Sequence, residues 1–358
     1  MVGFPTRAPG HLRLLVGGDL MLGRGIDAIR PIHNPAEFGK PDARHPTVTI
    51  AWAEARGEAV PRQATAQTLW GAALEPMLAS QADLTLFNLE TAVTSRDCWV
   101  PKTYNFRMHP AGLDVLTAVG VQCVSLANNH VLDFGLPGLL DTLEALQARG
   151  IAIAGAGLNT RAAIAPAQLP LPGGRRALVF AMACCNAGCR PREAALPHRP
   201  GIALLPDLKP ATADAVCRLI QHFRQPDDLV AVSIHWGGNW PDQVPEPMRT
   251  FAQRLVRQAG VHLIHGHSSH WPMAVEQIDA ALVLYGCGDV LNDYEGRPDL
   301  LSRRGDLGVL FVVDFDATTL KLANWHRLAI CRQAFCLKLT DPEDTQRMDA
   351  RLRGEPIC

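Results

Sequence analysis

Carboxylates, carboxamides and imidazoles recur in this chain at one kind of place, just past a short apolar run. Asp19 follows residues 12–16 through Gly17 and Gly18, and Glu90 follows residues 84–87. Asn129 and His130 follow residues 123–126, and His235 follows residues 229–234. His265, His267 and His270 come within six residues after the run 261–264, with Gly266, Ser268 and Ser269 between them. A second apolar run, 281–285, ends in Gly286-Cys287-Gly288-Asp289. Mixed oxygen and nitrogen donors of these types suit a divalent cation. Without a cation the same groups form an acid–base set that can take up and return a proton. One such residue alone reads as a helix cap or a satisfied core histidine, but five strand ends in chain order read as a site.

The elements that would position these groups alternate strand and helix nearly to the end, which makes the chain α/β. Apolar runs at 12–16, 84–87, 123–126, 151–154, 177–182, 229–234, 261–264 and 281–285 read as strands, and 308–315 with 320–325 as an antiparallel pair. Segments 68–79, 112–118, 136–149, 209–223 and 247–259 read as helices. Open α/β sheets bind ligands beyond the carboxyl ends of their strands, where the polar residues sit here. Residues 33–61 show no period and read as a long excursion over the mouth of the site. Gly155-Ala156-Gly157 lacks the third glycine of a dinucleotide fingerprint and reads as a turn. No linker divides the chain, so one domain is expected over 1–336, with 337–358 as a peripheral tail.

Composition narrows the function. With 47% hydrophobic and 19% charged residues the chain is a folded globular protein, not a disordered one. A formal net charge of -1 gives no global field for nucleic acid or an anionic membrane, so neither is expected as a partner. The N-terminus lacks an uninterrupted apolar core, and no run reaches membrane-spanning length, so a soluble cytoplasmic protein without a membrane anchor is expected. Ten cysteines in a chain this long do not read as a disulfide framework, and Cys184, Cys185 and Cys189 lack the partner pair of a zinc site.

The motifs carry a resemblance. Gly18-Asp19 with Leu22-Gly23-Arg24, Asn88-Leu89-Glu90, Asn128-Asn129-His130 with Asp133-Phe134-Gly135, Ile234-His235-Trp236-Gly237, Gly266-His267-Ser268-Ser269-His270 and Tyr285-Gly286-Cys287-Gly288-Asp289 resemble the CapA family of bacterial poly-gamma-glutamate capsule biosynthesis proteins, over roughly residues 12–315. That family is similar in fold to the calcineurin-like metallophosphatases. The resemblance therefore implies a four-layer α/β/β/α sandwich with a divalent-metal centre.

It also implies roles. Asp19, Glu90, Asn129, His235 and His267 match metal-ligand positions, with His130 beside them as acid or transition-state stabiliser. Metallophosphatases place a histidine two residues after the first aspartate, where this chain has Met21, and Ser269 stands where their second late histidine would fall. A thioether is a poor ligand for Mn²⁺, Mg²⁺ or Zn²⁺. The resemblance thus implies one or two ions (Mn, Zn, Mg or Fe), or none. His265 and His270 compete for a proton-transfer role, and Asp289 is read as orienting one of them, with Asn292, Asp293 and Glu295 as turn. Arg24, Asn105, Arg107 and Arg303 or Arg304 are candidates for an anionic peptide or small-molecule substrate. Trp236, Trp240 and Trp271 are candidates for its wall.

Three functions compete: a metal-dependent hydrolase of an amide or phosphoester bond, a metal-independent acid–base enzyme such as a peptide epimerase, and a non-enzymatic accessory protein that binds a polyanion. The sequence sets neither the substrate nor the oligomeric state.

Overall fold

The computed structural model describes residues 3–35, 46–294 and 304–355. In chain order the strands that build the site scaffold are β1 (His11–Leu20), β2 (Leu84–Leu89), β3 (Cys123–Ser125), β4 (Ala152–Ala154), β5 (Ala167–Pro170), β6 (Arg176–Cys184), β7 (Leu204–Leu205), β8 (Asp228–His235), β9 (Leu263–His267), β10 (Val275–Ile278), β11 (Ala281–Leu284), β12 (Asp289–Leu291), β13 (Leu307–Asp316), β14 (Leu322–Gln333) and β15 (Cys336–Leu339). The longer helices are α1 (Gly135–Ala148), α2 (Pro210–Phe223), α3 (Glu246–Ala259) and α4 (Pro342–Leu352).

These strands form two mixed sheets. The first runs β15-β14-β13-β1-β2-β3-β4, and the second β7-β6-β8-β9-β11-β10 with β5 on β6. Beside β1, antiparallel β13 pairs as far as Gly17, and parallel β12 takes over at Asp19.

Side-chain alternation builds the layers, because successive residues of a strand point to opposite faces. Leu178, Phe180 and Met182, with Val230, Val232 and Ile234, pack against Val216 and Ile220 of α2 and Phe251 and Leu255 of α3. Their strand neighbours Ala177, Val179 and Ala181, with Leu229, Ala231 and Leu263, join the core shared with the first sheet. The second sheet is therefore covered by helices outside and by the first sheet inside, as the four-layer α/β/β/α sandwich requires. Helix α2 begins on Pro210 and α3 follows Pro245, and α3 stops at Gly260 in the left-handed conformation. Each buries residues at helical spacing, such as Ala213, Val216, Cys217 and Ile220.

Three expectations are corrected. The helix expected over 68–79 breaks into Ala66–Trp70, a 3₁₀ turn at Gly71–Ala73 and Leu74–Ala79. Gly71 sits at φ +46, and a Cβ there would lie 2.3 Å from the Leu337 carbonyl oxygen, so the strand behind it forces the break. The segment expected to be a peripheral tail is built into the fold: β15 is an edge strand, and Leu337, Met348 and Leu352 are buried. Asp289, expected at the end of the run 281–285, lies instead in a separate short strand, β12. Of the excursion over 33–61, residues 36–45 lie outside the described residues, and the rest includes a helix at Pro46–Ala55.

Candidate metal centre

Strand register assembles the site. Asp19 on β1 stands beside Asn88 on β2 and Asp289 on β12, while His235 on β8 pairs with His267 on β9. Gly18 permits this approach, since a Cβ there would lie 1.8 Å from the Gly288 carbonyl oxygen. Ser233 and His235 share the inward face of β8, and His265 and His267 the inward face of β9, so all four point between the sheets.

Two groups of ligand atoms result, each lying within 4.8 Å of one another: Asp19, His235 and His267, and Asp19, Glu90, His270 and Asp289. Asp19 belongs to both. All these side chains are buried except His270, which is half-buried. Asn88 Nδ2 donates to Asp19 Oδ1 (2.7 Å), and Asn128 Nδ2 donates in turn to Asn88 Oδ1 (3.1 Å). Asn292 Nδ2 donates to Asp289 Oδ2 (2.7 Å), and His270 Nδ1 lies 3.1 Å from Asp289 Oδ1.

The electrostatics of this cluster ask for positive charge. Burial, and then the neighbouring Asp289, push the Asp19 carboxyl up to about 7. Burial, with Asp19 and Asp289 next, raises Glu90 well above the usual carboxylate range. Burial holds His235 and His267 well below the ordinary imidazole value, so both are neutral and suited to ligate. Two buried oxygens of residues that line the adjoining cavity, Glu90 Oε2 and Asn129 Oδ1, have no hydrogen-bond partner among the described residues. Orphaned buried oxygens beside crowded carboxylates and neutral imidazoles are the donor set a divalent cation satisfies. The residues present fit a metal.

Above the cluster lies a cavity of about 270 Å³, lined among others by Glu90, Asn129, His130, His235, Ser268 and His270. Its walls include Tyr104, Phe106, Trp240 and Tyr294, with Arg24, Lys102 and Arg190 as cations. Arg24, Trp240, Ser268 and His270 take φ values of +47, +58, +89 and +62. Non-glycine residues avoid that region, and such backbone concentrates at functional sites.

His130 Nδ1 lies 2.7 Å from Asp133 Oδ2, and its ring stacks on Phe106 at 3.9 Å. Lys102 Nζ donates to Asp133 Oδ1 (2.8 Å) and to the Asn129 carbonyl oxygen (2.6 Å). Asp133 therefore accepts the Nδ1 proton of His130. Burial, and then Lys102, lower the imidazole to about 4, so it is neutral at pH 7 and its other nitrogen is bare. A bare imidazole nitrogen at the cavity wall accepts a proton or a hydrogen bond.

The structure redistributes several sequence expectations. His265 does not face the cavity: it is fully buried between the sheets, with Nε2 on the Gly17 carbonyl oxygen and Nδ1 on Ser233 Oγ, so a proton-transfer role is excluded by its position. Asp289, read as a partner of His265 or His270, has Oδ1 3.1 Å from His270 Nδ1 and also supplies a ligand-distance oxygen itself. Trp236 is core, fully buried and donating to the Tyr285 carbonyl oxygen, whereas Trp240 forms the wall and Trp271 stands behind it.

Arg107 is buried against the carbonyl oxygens of Arg96 and Pro35, and Asn105 donates to those of Val100 and Asp133, so both shape loops instead of meeting substrate. Arg24 does line the cavity, but its charge is paired with buried Asp293. Arg304 pairs with Asp306 and Asp344 away from the cavity, and Arg303 and Glu295 lie outside the described residues. Met21 packs with Phe106 and Tyr294 in the wall. Cys184, Cys185 and Cys189 enter neither ligand group. Sequence reasoning missed Asn88, Lys102 and Ser233. Asn88 carried the one legible signal, standing two residues before Glu90 at a strand end.

A four-layer α/β/β/α sandwich with a carboxylate–histidine centre at its strand ends is the class of protein that this fold and site define. Residues 13–294 match the family described as bacterial capsule synthesis protein PGA_cap, and the chain belongs to that family. It is 35% identical over 342 residues to a probable polyglutamine synthesis accessory protein of Mycobacterium tuberculosis, covering 94% of this chain and 89% of that protein. It is 24% identical to the PGA biosynthesis protein CapA of Bacillus subtilis, over 62% of this chain and 56% of that one. A solved structure of a phosphatase from Mycoplasma pneumoniae is similar over 94% of this chain and 96% of its own, with 13% identity and a TM-score of 0.49. Among the described residues, no helix is long and apolar enough to cross a membrane.

Proposed function

We propose that this protein is a divalent-metal-dependent hydrolase that opens a phosphoester or amide bond in an anionic substrate, linked to poly-gamma-glutamate or a related peptide. The observation that carries the reading is the pair of ligand groups meeting at Asp19, with the orphaned oxygens of Glu90 and Asn129 beside them. Asp19, His235, His267 and Asn129 would hold one ion. Asp19, Glu90, His270 and Asp289 would hold a second. Bound ions supply an activated water and polarise the scissile group.

The chain's own residues do the rest. Asp289 and His270 fill the role of the ligand missing at Met21, reaching Asp19 from the far end of the sequence. His130, held by Asp133 and Lys102, takes a proton from the attacking water or from the substrate. Tyr104, Phe106, Trp240 and Tyr294 restrict water, and Arg190 at the cavity wall favours an anionic substrate.

A second reading has its own support. Asp19 at about 7, beside neutral histidines, is poised to exchange a proton without any metal, which suits a peptide epimerase. An accessory, binding-only role accounts for neither the buried carboxylates nor the bare His130 nitrogen.

The deciding experiment is elemental analysis of purified protein, combined with assays on phosphodiester and γ-glutamyl peptide substrates in Mn²⁺. The hydrolase reading expects bound metal and cleavage abolished by chelation. Solvent deuterium appearing at an α-carbon, with no cleavage and no effect of chelator, would support the epimerase instead.

A further inference from the structure

A buried chain of polar groups runs from the first sheet into the metal centre, and it has one consistent arrangement of protons. The Gly17 carbonyl can only accept, so His265 Nε2, 2.9 Å away, carries a proton. His265 is fully buried with no carboxylate among its hydrogen-bond partners, so its ring is neutral and Nδ1 is an acceptor. Ser233 Oγ, 3.0 Å from that nitrogen, donates to it. The hydroxyl has one proton, so toward His267 Nε2 at 2.9 Å it can only accept. His267 Nε2 therefore donates. In a neutral ring that leaves the lone pair on Nδ1, the atom 2.8 Å from His235 Nδ1 and 3.7 Å from Asp19 Oδ1.

We infer that Ser233 and His265 are positioning residues that lock His267 in its Nε2–H tautomer, so that Nδ1 is presented to a cation as a bare ligand. The opposite tautomer would aim an N–H at the site and could not coordinate. Partners on the far nitrogen of a ligating histidine usually set its tautomer and ring orientation. Here the setting comes through two residues from the backbone of β1, so the sheet that carries Asp19 also fixes His267. What the lone pair meets rests on the metal reading proposed above. The proton arrangement itself does not.

The test has two arms. In metal-free wild-type protein labelled with ¹⁵N-histidine, long-range NMR correlations report which ring nitrogen of His267 and His265 is protonated, and Nε2 is expected for both. In Ser233→Ala, which removes one atom and little volume, zinc affinity measured by calorimetry is expected to fall by about 10- to 100-fold. A His267 protonated on Nδ1 in wild type overturns the inference, as does a folded Ser233→Ala protein that binds zinc as tightly as wild type. If Ser233→Ala does not fold, the wild-type spectrum still decides. If wild type binds no zinc, the metal reading fails, while the spectrum continues to judge the proton arrangement.

Discussion

Asp19 and Asp289, 270 residues apart in the chain (289 − 19), are direct register partners on the parallel strands β1 and β12. Two carboxylates side by side in a buried site repel, and Asp289 is the largest cause after burial of the raised Asp19 carboxyl. A cation between them removes the repulsion. Saturated wild-type protein is expected to hold two ions per chain by mass spectrometry and calorimetry, and Asp289→Asn one, with the affinity of the second ion reduced by about 100-fold or more. Two tightly held ions in Asp289→Asn would remove Asp289 from the ligand set.

The same pair sets a pH dependence for the metal-free protein. The Asp19 carboxyl moves from 3.8 to about 7 on folding, so its contribution to stability is complete below 3.8 and is lost as pH rises through about 7. Asp19→Asn keeps the shape and cannot ionise. The metal-free variant should melt above metal-free wild type at pH 8 and close to it at pH 4, while losing the stabilisation that added Mn²⁺ gives wild type. A uniform difference between the two pH values would contradict the assigned shift.

His130 is expected to act on protons and not on metal. His130→Ala and Asp133→Asn should each leave metal content unchanged and lower turnover, His130→Ala by about 10²- to 10⁴-fold. Asp133→Asn cannot accept the Nδ1 proton as a carboxylate does, so its pH–rate profile should also move. Loss of metal in His130→Ala would instead place the imidazole among the ligands.

Helix α4 reaches the site through a stack of rings. The Arg351 guanidinium lies 3.3 Å above the Trp271 ring, Trp271 meets Trp240 edge-on at 5.5 Å, and Trp240 stacks on His270 at 5.2 Å. Arg351 also donates to the carbonyl oxygens of Pro272 and Pro241. Arg351→Ala should cost about 1–2 kcal/mol in denaturant unfolding, from the lost cation–π contact and hydrogen bonds. Because the stack ends on His270, it should also weaken the second ion while leaving the first unchanged. Equal weakening of both would point to general loosening of the fold.

The sequence by itself determined the alternation of strands and helices and the strand ends where the chemistry sits. Runs such as 229–234 are short, mostly apolar and rich in β-branched Val230, Val232 and Ile234, which favours a strand buried on both faces over a helix. It also showed Asp19, Glu90, Asn129, His130, His235 and His267 at those ends, since polar residues just past apolar runs stand out without coordinates.

Only the tertiary structure decided what each histidine does. His265 and His267 are two residues apart and share one strand face, so no local pattern separates them. Gly17 from the other sheet occupies His265 and leaves His267 facing Asp19 and His235. Asp289 was legible as a partner for a histidine, but its place beside Asp19 was not, because three residues after a glycine turn carry too little periodicity to read as a strand. Ser233 looks like an ordinary polar interruption of β8 until His265 and His267 are placed on either side of its hydroxyl. Pairing between strands far apart in sequence is a long-range choice, made by packing two sheets together, and it decides which of several similar side chains meet at the site.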